Sequence, residues 1–258
     1  MSGHDHADRL QFGRAESVRF LADLQNLPTP LDSSFDADLE GRFRLALSSQ
    51  FPTDNVVGEE LPDTMKWAGS GWLIDPLDGT TNLTCDLPWF GASFSYIESG
   101  WPTLGWVIDP VHNRVFEAIS GQGASLDGVP LVLPELPPNA VISVSRRWRR
   151  TKQDWRSVLP GFCIDRLLGA TALELVSVAN GQFGGGAWGD SRTFDIAAGW
   201  LVLIESGAHL VSPHGVGVDS WAPLVGQNPK SVRLDLVAGH PKYRSWLDAM
   251  IDHRSTAG

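Results

Sequence analysis

The chain has 258 residues, and its 42% apolar content is enough for a full core in one large domain or two closely packed halves. A formal net charge of −10 argues against a nucleic-acid polymer or an anionic membrane as partner. The two cysteines argue against a disulfide framework or a cysteine-rich zinc site. Charges run through the first 25 residues, so no signal peptide is predicted, and the protein is expected to be soluble and cytoplasmic.

Two amphipathic helices are predicted near the N-terminus. Apolar residues recur at roughly helical spacing from Arg9 to Leu24, and an aromatic or leucine side chain stands at every fourth position from Phe35 to Leu47. Ser33 and Asp36 fit a capping box at the start of the second helix. On this pattern alone, the role of Asp36 is to cap the helix.

The motif Asp75-Pro76-Leu77-Asp78-Gly79-Thr80-Thr81-Asn82 follows a short predicted strand, Trp72 to Ile74. Pro76 biases Asp75 towards an extended conformation, and Asp78-Gly79 predicts a turn because glycine accepts positive φ. The next residues can begin a helix or offer backbone N–H groups to an anion. Two carboxylates and an anion can share such a corner only if divalent cations lie between them. A capped turn with two solvated aspartates is the simpler alternative.

Strands are predicted on both sides of this motif. Val56-Val57-Gly58 forms a short apolar run that ends in the acidic pair Glu59-Glu60. Three later segments are rich in β-formers and separated by turn residues, which predicts an antiparallel meander: Ala92 to Glu98, Leu104 to Asp109, and Val115 to Ser120. Pro134, Pro137 and Pro138 mark a crossover between two predicted halves, residues 1–138 and 139–258.

The second half mixes strand and helix patterns. Strands are predicted at Ala140 to Ser145 and Val232 to Ala238, and helices at Leu173 to Ala179, from Asp195 onward, and at Tyr243 to Ile251. The basic cluster from Arg146 to Lys152 favours a solvated loop, with an anion-recognition loop near an active site as the alternative. Gly184-Gly185-Gly186 lacks the Lys-Ser/Thr ending of a phosphate loop and is interpreted as a flexible turn.

The motif from Asp75 to Asn82 closely resembles the first signature of the inositol monophosphatase family of metal-dependent sugar phosphatases. Phe194-Asp195-Ile196-Ala197-Ala198-Gly199 resembles the second signature, with Phe in place of the usual Trp. Asp36 precedes Glu59 by 23 residues and Gly169 precedes Asp195 by 26, the spacings of the family. The resemblance implies an α/β fold, the layered α-β-α-β-α sandwich of the inositol monophosphatase and fructose bisphosphatase type, and a homodimer.

The resemblance also implies the site. Two or three Mg²⁺ ions are expected on the side chains of Glu59, Asp75, Asp78 and Asp195 and on the backbone carbonyl of Leu77. The catalytic residues implied are Thr80, Asp36 and Glu59, with Thr80 hydrogen-bonded to Asp36 and acting on the attacking water. The substrate-binding residues implied are Asp78, Gly79, Thr80, Gly169, Ala170, Thr171, Trp188 and Asp195.

Two departures from the family pattern bear on the substrate. Trp188 stands where inositol phosphatases place an acidic residue that binds sugar hydroxyls, and Ala170 stands where Thr is frequent. An aromatic face rewards stacking, so Trp188 is expected to disfavour inositol 1-phosphate. The predicted function is Mg²⁺-dependent hydrolysis of a small phosphorylated metabolite. The alternatives are a histidinol-phosphate or nucleotide 3′-phosphate phosphatase, and a non-catalytic metal- or phosphate-binding regulatory protein.

Overall fold

The computed structural model describes residues 3–28, 34–63, 65–135, 140–151, 155–158, 163–211, 221 and 224–252. The helices are α1 (Gly3–Gln25), α2 (Phe35–Gln50), α3 (Thr80–Thr84), α4 (Arg146–Thr151), α5 (Thr171–Ala179), α6 (Thr193–Ser206) and α7 (Arg244–Asp252). The strands of the first sheet are β1 (Val56–Gly58), β2 (Gly71–Asp78), β3 (Gly91–Glu98), β4 (Trp101–Asp109), β5 (Arg114–Ile119), β6 (Gly123–Leu126) and β7 (Val129–Leu131). Those of the second sheet are β8 (Val141–Val144), β9 (Ile164–Arg166), β10 (Gly185–Arg192), β11 (His209–Val211) and β12 (Arg233–Gly239).

The two sheets differ in topology. The first runs β1-β2-β3-β4-β5-β6-β7, with a parallel β1–β2 pair and antiparallel pairs after it, which confirms the predicted meander. The second runs β11-β12-β10-β8-β9, with β8 parallel to both β10 and β9. Because β8 and β10 are parallel, their carboxyl ends, Val144 and Arg192, lie at the same end of the second sheet.

Three hydrophobic cores hold five layers together, and the largest core spans both faces of the central helical layer. Helices α1 and α2 cover the outer face of the first sheet, where Trp72, Phe94 and Trp106 are fully buried. Helices α5 and α6 fill the space between the two sheets and contribute more residues to the largest core than any other pair of elements. Helix α7 covers the remaining face of the second sheet. This order confirms the predicted α-β-α-β-α sandwich, since each sheet has to bury both faces against helices.

The glycine run from Gly184 to Gly186 is not a flexible turn, as the sequence had suggested. It leads into β10, a strand flanked by β12 on one side and β8 on the other. A Cβ atom on Gly186 would lie 2.6 Å from the carbonyl oxygen of Ser143 and 2.6 Å from the ring of Trp188. Glycine is needed here for close packing within a buried strand rather than for freedom of the backbone.

The basic cluster is likewise not a solvated loop. Arg146–Thr151 forms the short helix α4, which packs Trp148 against β10. Arg149 donates to the carbonyl of Val144 and pairs with Asp165, so part of the cluster serves the fold. Lys152 lies outside the described residues.

The division into halves at residue 138 stays a prediction. The first sheet lies within residues 56–131 and the second within residues 141–239, while Pro137 and Pro138 fall outside the described ranges. None of the helices described is both long and apolar enough to cross a bilayer.

Gly186→Ala should destabilise the protein by about 1–3 kcal/mol, because the added methyl group meets a backbone carbonyl that cannot move aside cheaply. Gly226→Ala is the matched control, since its Cβ would meet no atom within 4 Å. Urea unfolding of both variants measures the difference. Equal stability of the two variants would contradict the packing argument.

Candidate active site

The end of β2 brings two aspartates to the same face of the strand. Residues three apart in a regular strand point to opposite faces, because the side-chain period is two. The pairing of β2 with β3 shifts between Asp75 and Asp78, so this stretch carries one extra residue opposite β3. The bulge re-aims the chain, and Pro76 fits there because it has no N–H group to donate.

The turn after β2 has the predicted geometry. Gly79 adopts a φ of +91°, and α3 begins at the next residue, Thr80. A Cβ atom on Gly79 would lie 2.9 Å from the carbonyl oxygen of Trp89 and 3.1 Å from the side chain of Ala170. Gly79 is therefore required by both its backbone angle and its close contacts.

Carboxylates from three parts of the chain meet at this corner. Oxygen atoms of Glu59, Asp75 and Asp195 lie within 4.8 Å of one another. They face a cleft of about 320 Å³. The residues that line it are Glu59, Asp75, Leu77, Asp78, Gly79, Thr80, Thr81, Gly169, Arg192 and Asp195. The structure thus brings together the five residues predicted to hold metal ions.

Burial and mutual repulsion make these acids hard to ionise. Burial raises the pKa of Asp75 and Asp78 well above the ordinary range, and the neighbouring carboxylates raise both further. Backbone N–H groups oppose the rise: Leu77 donates to Asp75 at 3.1 Å and Ala172 donates to Asp78 at 2.6 Å. Burial raises the pKa of Asp195 to about 6, although Arg192 lowers it.

These residues fit a divalent cation. Packed carboxylates that repel one another need nearby positive charge, and the donor set contains only oxygen atoms, which Mg²⁺ prefers. The carbonyl oxygen of Leu77 adds a neutral oxygen at the same corner and accepts a hydrogen bond from Thr80 at 3.0 Å. Individual metal-ligand roles remain predictions.

Asp36 reaches the site from α2. Its carboxylate lies 3.2 Å from the hydroxyl of Thr80, the contact that the resemblance implied. The residue that precedes α2 is Ser34, and its side chain makes no cap hydrogen bond. Ser33 lies outside the described residues. The capping box of Ser33 and Asp36 therefore stays a prediction, and burial raises the pKa of Asp36.

Glu40 organises the turn that carries Glu59, and sequence reasoning missed it. Its fully buried carboxylate accepts backbone hydrogen bonds from Glu60 at 2.9 Å and Leu61 at 3.3 Å. The same carboxylate pairs with Arg44 at 2.6 Å, one helical turn later. The only sequence signal is this i, i+4 Glu–Arg spacing, which is typical of exposed helix surfaces.

A second buried glutamate, Glu174 on α5, holds the Gly169 turn. It accepts hydrogen bonds from the backbone N–H groups of Leu168 at 3.0 Å and Gly169 at 2.9 Å. Ser143 donates to the same carboxylate at 2.6 Å and the indole of Trp188 donates at 2.7 Å. The turn is thereby fixed at the cleft.

This network corrects the prediction for Trp188. Its side chain is 0% exposed, so it offers no face on which a substrate could stack. The side chain of Ala170 is also fully buried, behind Gly79, and neither Ala170 nor Thr171 lines the cleft. Substrate contacts through the backbone of this turn stay predictions.

The fold and the cleft define a class. A layered α/β sandwich that gathers buried carboxylates where a strand ends and helices begin is typical of metal-dependent phosphatases.

Comparisons identify the family. The inositol monophosphatase family model matches residues 27–241, so the chain belongs to this family and is a phosphoric monoester hydrolase. The inositol-1-monophosphatase of Bacillus subtilis is 30% identical over 200 residues, which cover 73% of this chain and 74% of that protein. The inositol monophosphatase of Anabaena (Nostoc) sp. PCC 7120 has the same fold, with a TM-score of 0.79, 22% identity and 96% coverage of each chain. An IMPase/NADP phosphatase solved with Mg²⁺ and phosphate has a TM-score of 0.69 and 24% identity, covering 86% of this chain and 81% of its own.

The raised carboxylate pKa values predict how stability changes with pH. In metal-free protein, the folded state keeps protons on Asp75, Asp78 and Asp195 at pH values where the unfolded chain has lost them. The free energy of unfolding should therefore fall as the pH rises from 5 to 7.5, through the Asp195 pKa of about 6. Mg²⁺ should raise the melting temperature more at pH 7.5 than at pH 5.

Two variants test whether this pH dependence of the free energy of unfolding arises in the cleft. Asp195→Asn should stabilise the metal-free protein at pH 7.5 by roughly 2 kcal/mol, because it removes a carboxylate that is costly to ionise there. Asp38→Asn, on the exposed side of α2, makes the same charge change away from the cleft. The lowered pKa of His240 makes the free energy of unfolding rise with pH, and this contribution is the same in wild type and in both variants. A melting temperature that rises with pH in wild type but not in Asp195→Asn would contradict the prediction.

Proposed function

We propose that the chain hydrolyses a small phosphorylated metabolite with Mg²⁺ as the required cofactor. The observation that carries the proposal is the meeting of Glu59, Asp75 and Asp195 beside Asp78 at the cleft. The complex of a structural neighbour with Mg²⁺ and phosphate supports the choice of ion and reaction. The expected ligands are Glu59, Asp75, Asp78, Asp195 and the Leu77 carbonyl, holding two or three ions. When bound, the Mg²⁺ ions would polarise the phosphoryl oxygens and lower the pKa of a bound water.

Thr80 is the residue proposed to orient the attacking water. Its hydroxyl has one proton and lies within 3.2 Å of the Asp36 carboxylate and 3.0 Å of the Leu77 carbonyl, both acceptors. Whichever of the two oxygens accepts the hydrogen bond, the Thr80 hydroxyl keeps lone pairs that can accept a hydrogen bond from a water. The raised pKa of Asp36 favours its use as a proton acceptor in this pair. Glu59, which lines the same cleft, is proposed to act on the same water.

Phosphate binding is assigned to the turn after β2. The backbone N–H groups of Gly79 and Thr80 begin a helix at the cleft, where an anion is favoured. Asp78, Asp195 and the backbone of residues 169–171 would contact the rest of the substrate. The burial of Trp188 removes the aromatic stacking argument against inositol 1-phosphate, which joins histidinol phosphate and nucleotide 3′-phosphates as candidates.

A non-catalytic metal- or phosphate-binding regulatory protein is the alternative from another class. The hydrogen bond between Thr80 and Asp36 counts against it, because metal binding alone does not need a hydroxyl aimed at a half-buried carboxylate. The homodimer and the cytoplasmic location expected from the resemblance remain predictions. A panel of phosphomonoesters assayed with Mg²⁺ tests both the activity and the substrate.

Hydrolysis should depend strictly on Mg²⁺. Asp78→Asn should lower kcat by orders of magnitude while the protein stays folded, because it removes one negative charge and one oxygen ligand from the cleft. Release of phosphate measures activity, and a thermal melt checks the fold. Asp38→Asn serves again as a charge-matched control and should keep full activity. Undiminished turnover in excess chelator would contradict this prediction.

Asp36 and Thr80 should act as a unit. Asp36→Ala and Thr80→Ala should each lower single-turnover rates strongly with Mg²⁺ still bound, and the double variant should be little worse than either, because each residue depends on the other. A thermal melt of Asp36→Ala checks that the protein stays folded and measures any loss of capping, which is expected to be about 1 kcal/mol. Near-normal rates in either single variant, or fully multiplicative losses in the double variant, would count against a shared role.

A further inference from the structure

Arg192 lies at the mouth of the carboxylate cluster. It is the last residue of β10 and immediately precedes α6, so its backbone is fixed by two elements. Its guanidinium pairs with the carboxylate of Glu59, a residue 133 positions away in the chain. The guanidinium also lies 5.6 Å from the ring centroid of Phe194, the aromatic residue of the second signature.

Charge makes this arginine distinctive. Among the described residues that line the cleft, Arg192 is the single cationic side chain, and it faces four carboxylates. Its charge also favours the ionised form of Asp195. In the absence of a metal ion, the guanidinium therefore supplies the positive charge that this end of the cluster needs.

We propose that Arg192 holds Glu59 while the cleft lacks a divalent cation, and turns to the phosphate of the substrate once the cation has taken Glu59. This inference rests on the proposed function and names a further substrate-binding residue for it. The two partners compete, because one oxygen atom of Glu59 cannot fully serve both the guanidinium and a cation.

The exposure of the pair fits an exchange rather than a permanent contact. The side chains of Arg192 and Glu59 are 43% and 30% exposed, and ion pairs this accessible contribute little to stability. A divalent cation held by several oxygen atoms can therefore displace the guanidinium at small cost. The neighbouring pair of Glu40 and Arg44 differs, because its carboxylate is fully buried and holds backbone N–H groups as well.

The released guanidinium suits phosphate. Its planar fork can donate two parallel hydrogen bonds to a phosphoryl group, which an ammonium group cannot do. Two divalent cations would balance the four carboxylates, which leaves the charge of Arg192 for the dianionic substrate. Phosphate and metal ion should then strengthen each other's binding by the same factor.

Calorimetric titration with Mg²⁺ alone tests the first half. Arg192→Gln should bind Mg²⁺ about three- to fivefold more tightly than wild type, because the competing ion pair is gone. Arg233→Gln is the matched control: Arg233 pairs with Arg192 across β10 and β12, but its guanidinium donates to the carbonyls of Lys230 and Val232. Its effect on Mg²⁺ affinity should be less than twofold.

Titration of inorganic phosphate into Mg²⁺-saturated protein tests the second half. Arg192→Gln should bind phosphate about tenfold more weakly, whereas Arg192→Lys should recover part of the loss through its charge. Weaker or unchanged Mg²⁺ binding by Arg192→Gln would overturn the proposal, since Arg192 would then merely orient Glu59. Unchanged phosphate affinity would overturn it as well. A wild-type protein that binds Mg²⁺ but hydrolyses no phosphomonoester would contradict the proposed function, whereas the two titrations would still decide the role of Arg192.

Discussion

Repulsion among buried carboxylates at the end of β2 is the constraint on which the rest of the structure depends. Burial and neighbouring negative charge both raise the pKa of Asp75 and Asp78, so ionising these acids in the folded protein costs free energy. The fold holds the carboxylates together by other means: an extra residue in β2, a backbone N–H group from α5, and the large core between the sheets. A bound cation would relieve this repulsion, so the same carboxylates that lower the stability of the metal-free protein favour metal binding. Such a loss of stability in favour of function is common at functional sites.

Two buried glutamates, Glu40 and Glu174, position the turns that border the cleft. Glu40 holds the backbone after β1, and Glu174 holds the backbone before α5, in each case through two main-chain N–H groups. A buried carboxylate is costly unless it is fully hydrogen-bonded, and each of these has at least three donors, counting Arg44 for Glu40 and Trp188 for Glu174. The same physical device thus fixes both sides of the cleft.

The sequence was most informative where structure is local. The strand, the turn at Gly79 and the following helix could be predicted from neighbouring residues, and family spacing brought Asp36 to Thr80 across 44 positions. Contacts between distant segments could not be read in this way. The glycine run at Gly186 was predicted to be flexible, because the atoms that crowd it belong to Ser143, a distant residue. Trp188 was predicted to contact substrate, because its hydrogen bond to Glu174 is visible only in the folded structure.

The burial of Trp188 changes where substrate selectivity has to arise. An indole that donates to Glu174 cannot also read a hydroxyl pattern, and the buried Ala170 side chain offers no polar atom. Among the described residues that line the cleft, most polar groups are the four clustered carboxylates, the threonines after Gly79, and Arg192. In the proposed function these groups bind the phosphate and the ions rather than the alcohol to which the phosphate is attached. Discrimination by differential binding requires a contact that one substrate makes and another lacks. We therefore expect selectivity among phosphomonoesters to depend on the shape of the cleft at the Gly169 turn, whose position depends on Glu174.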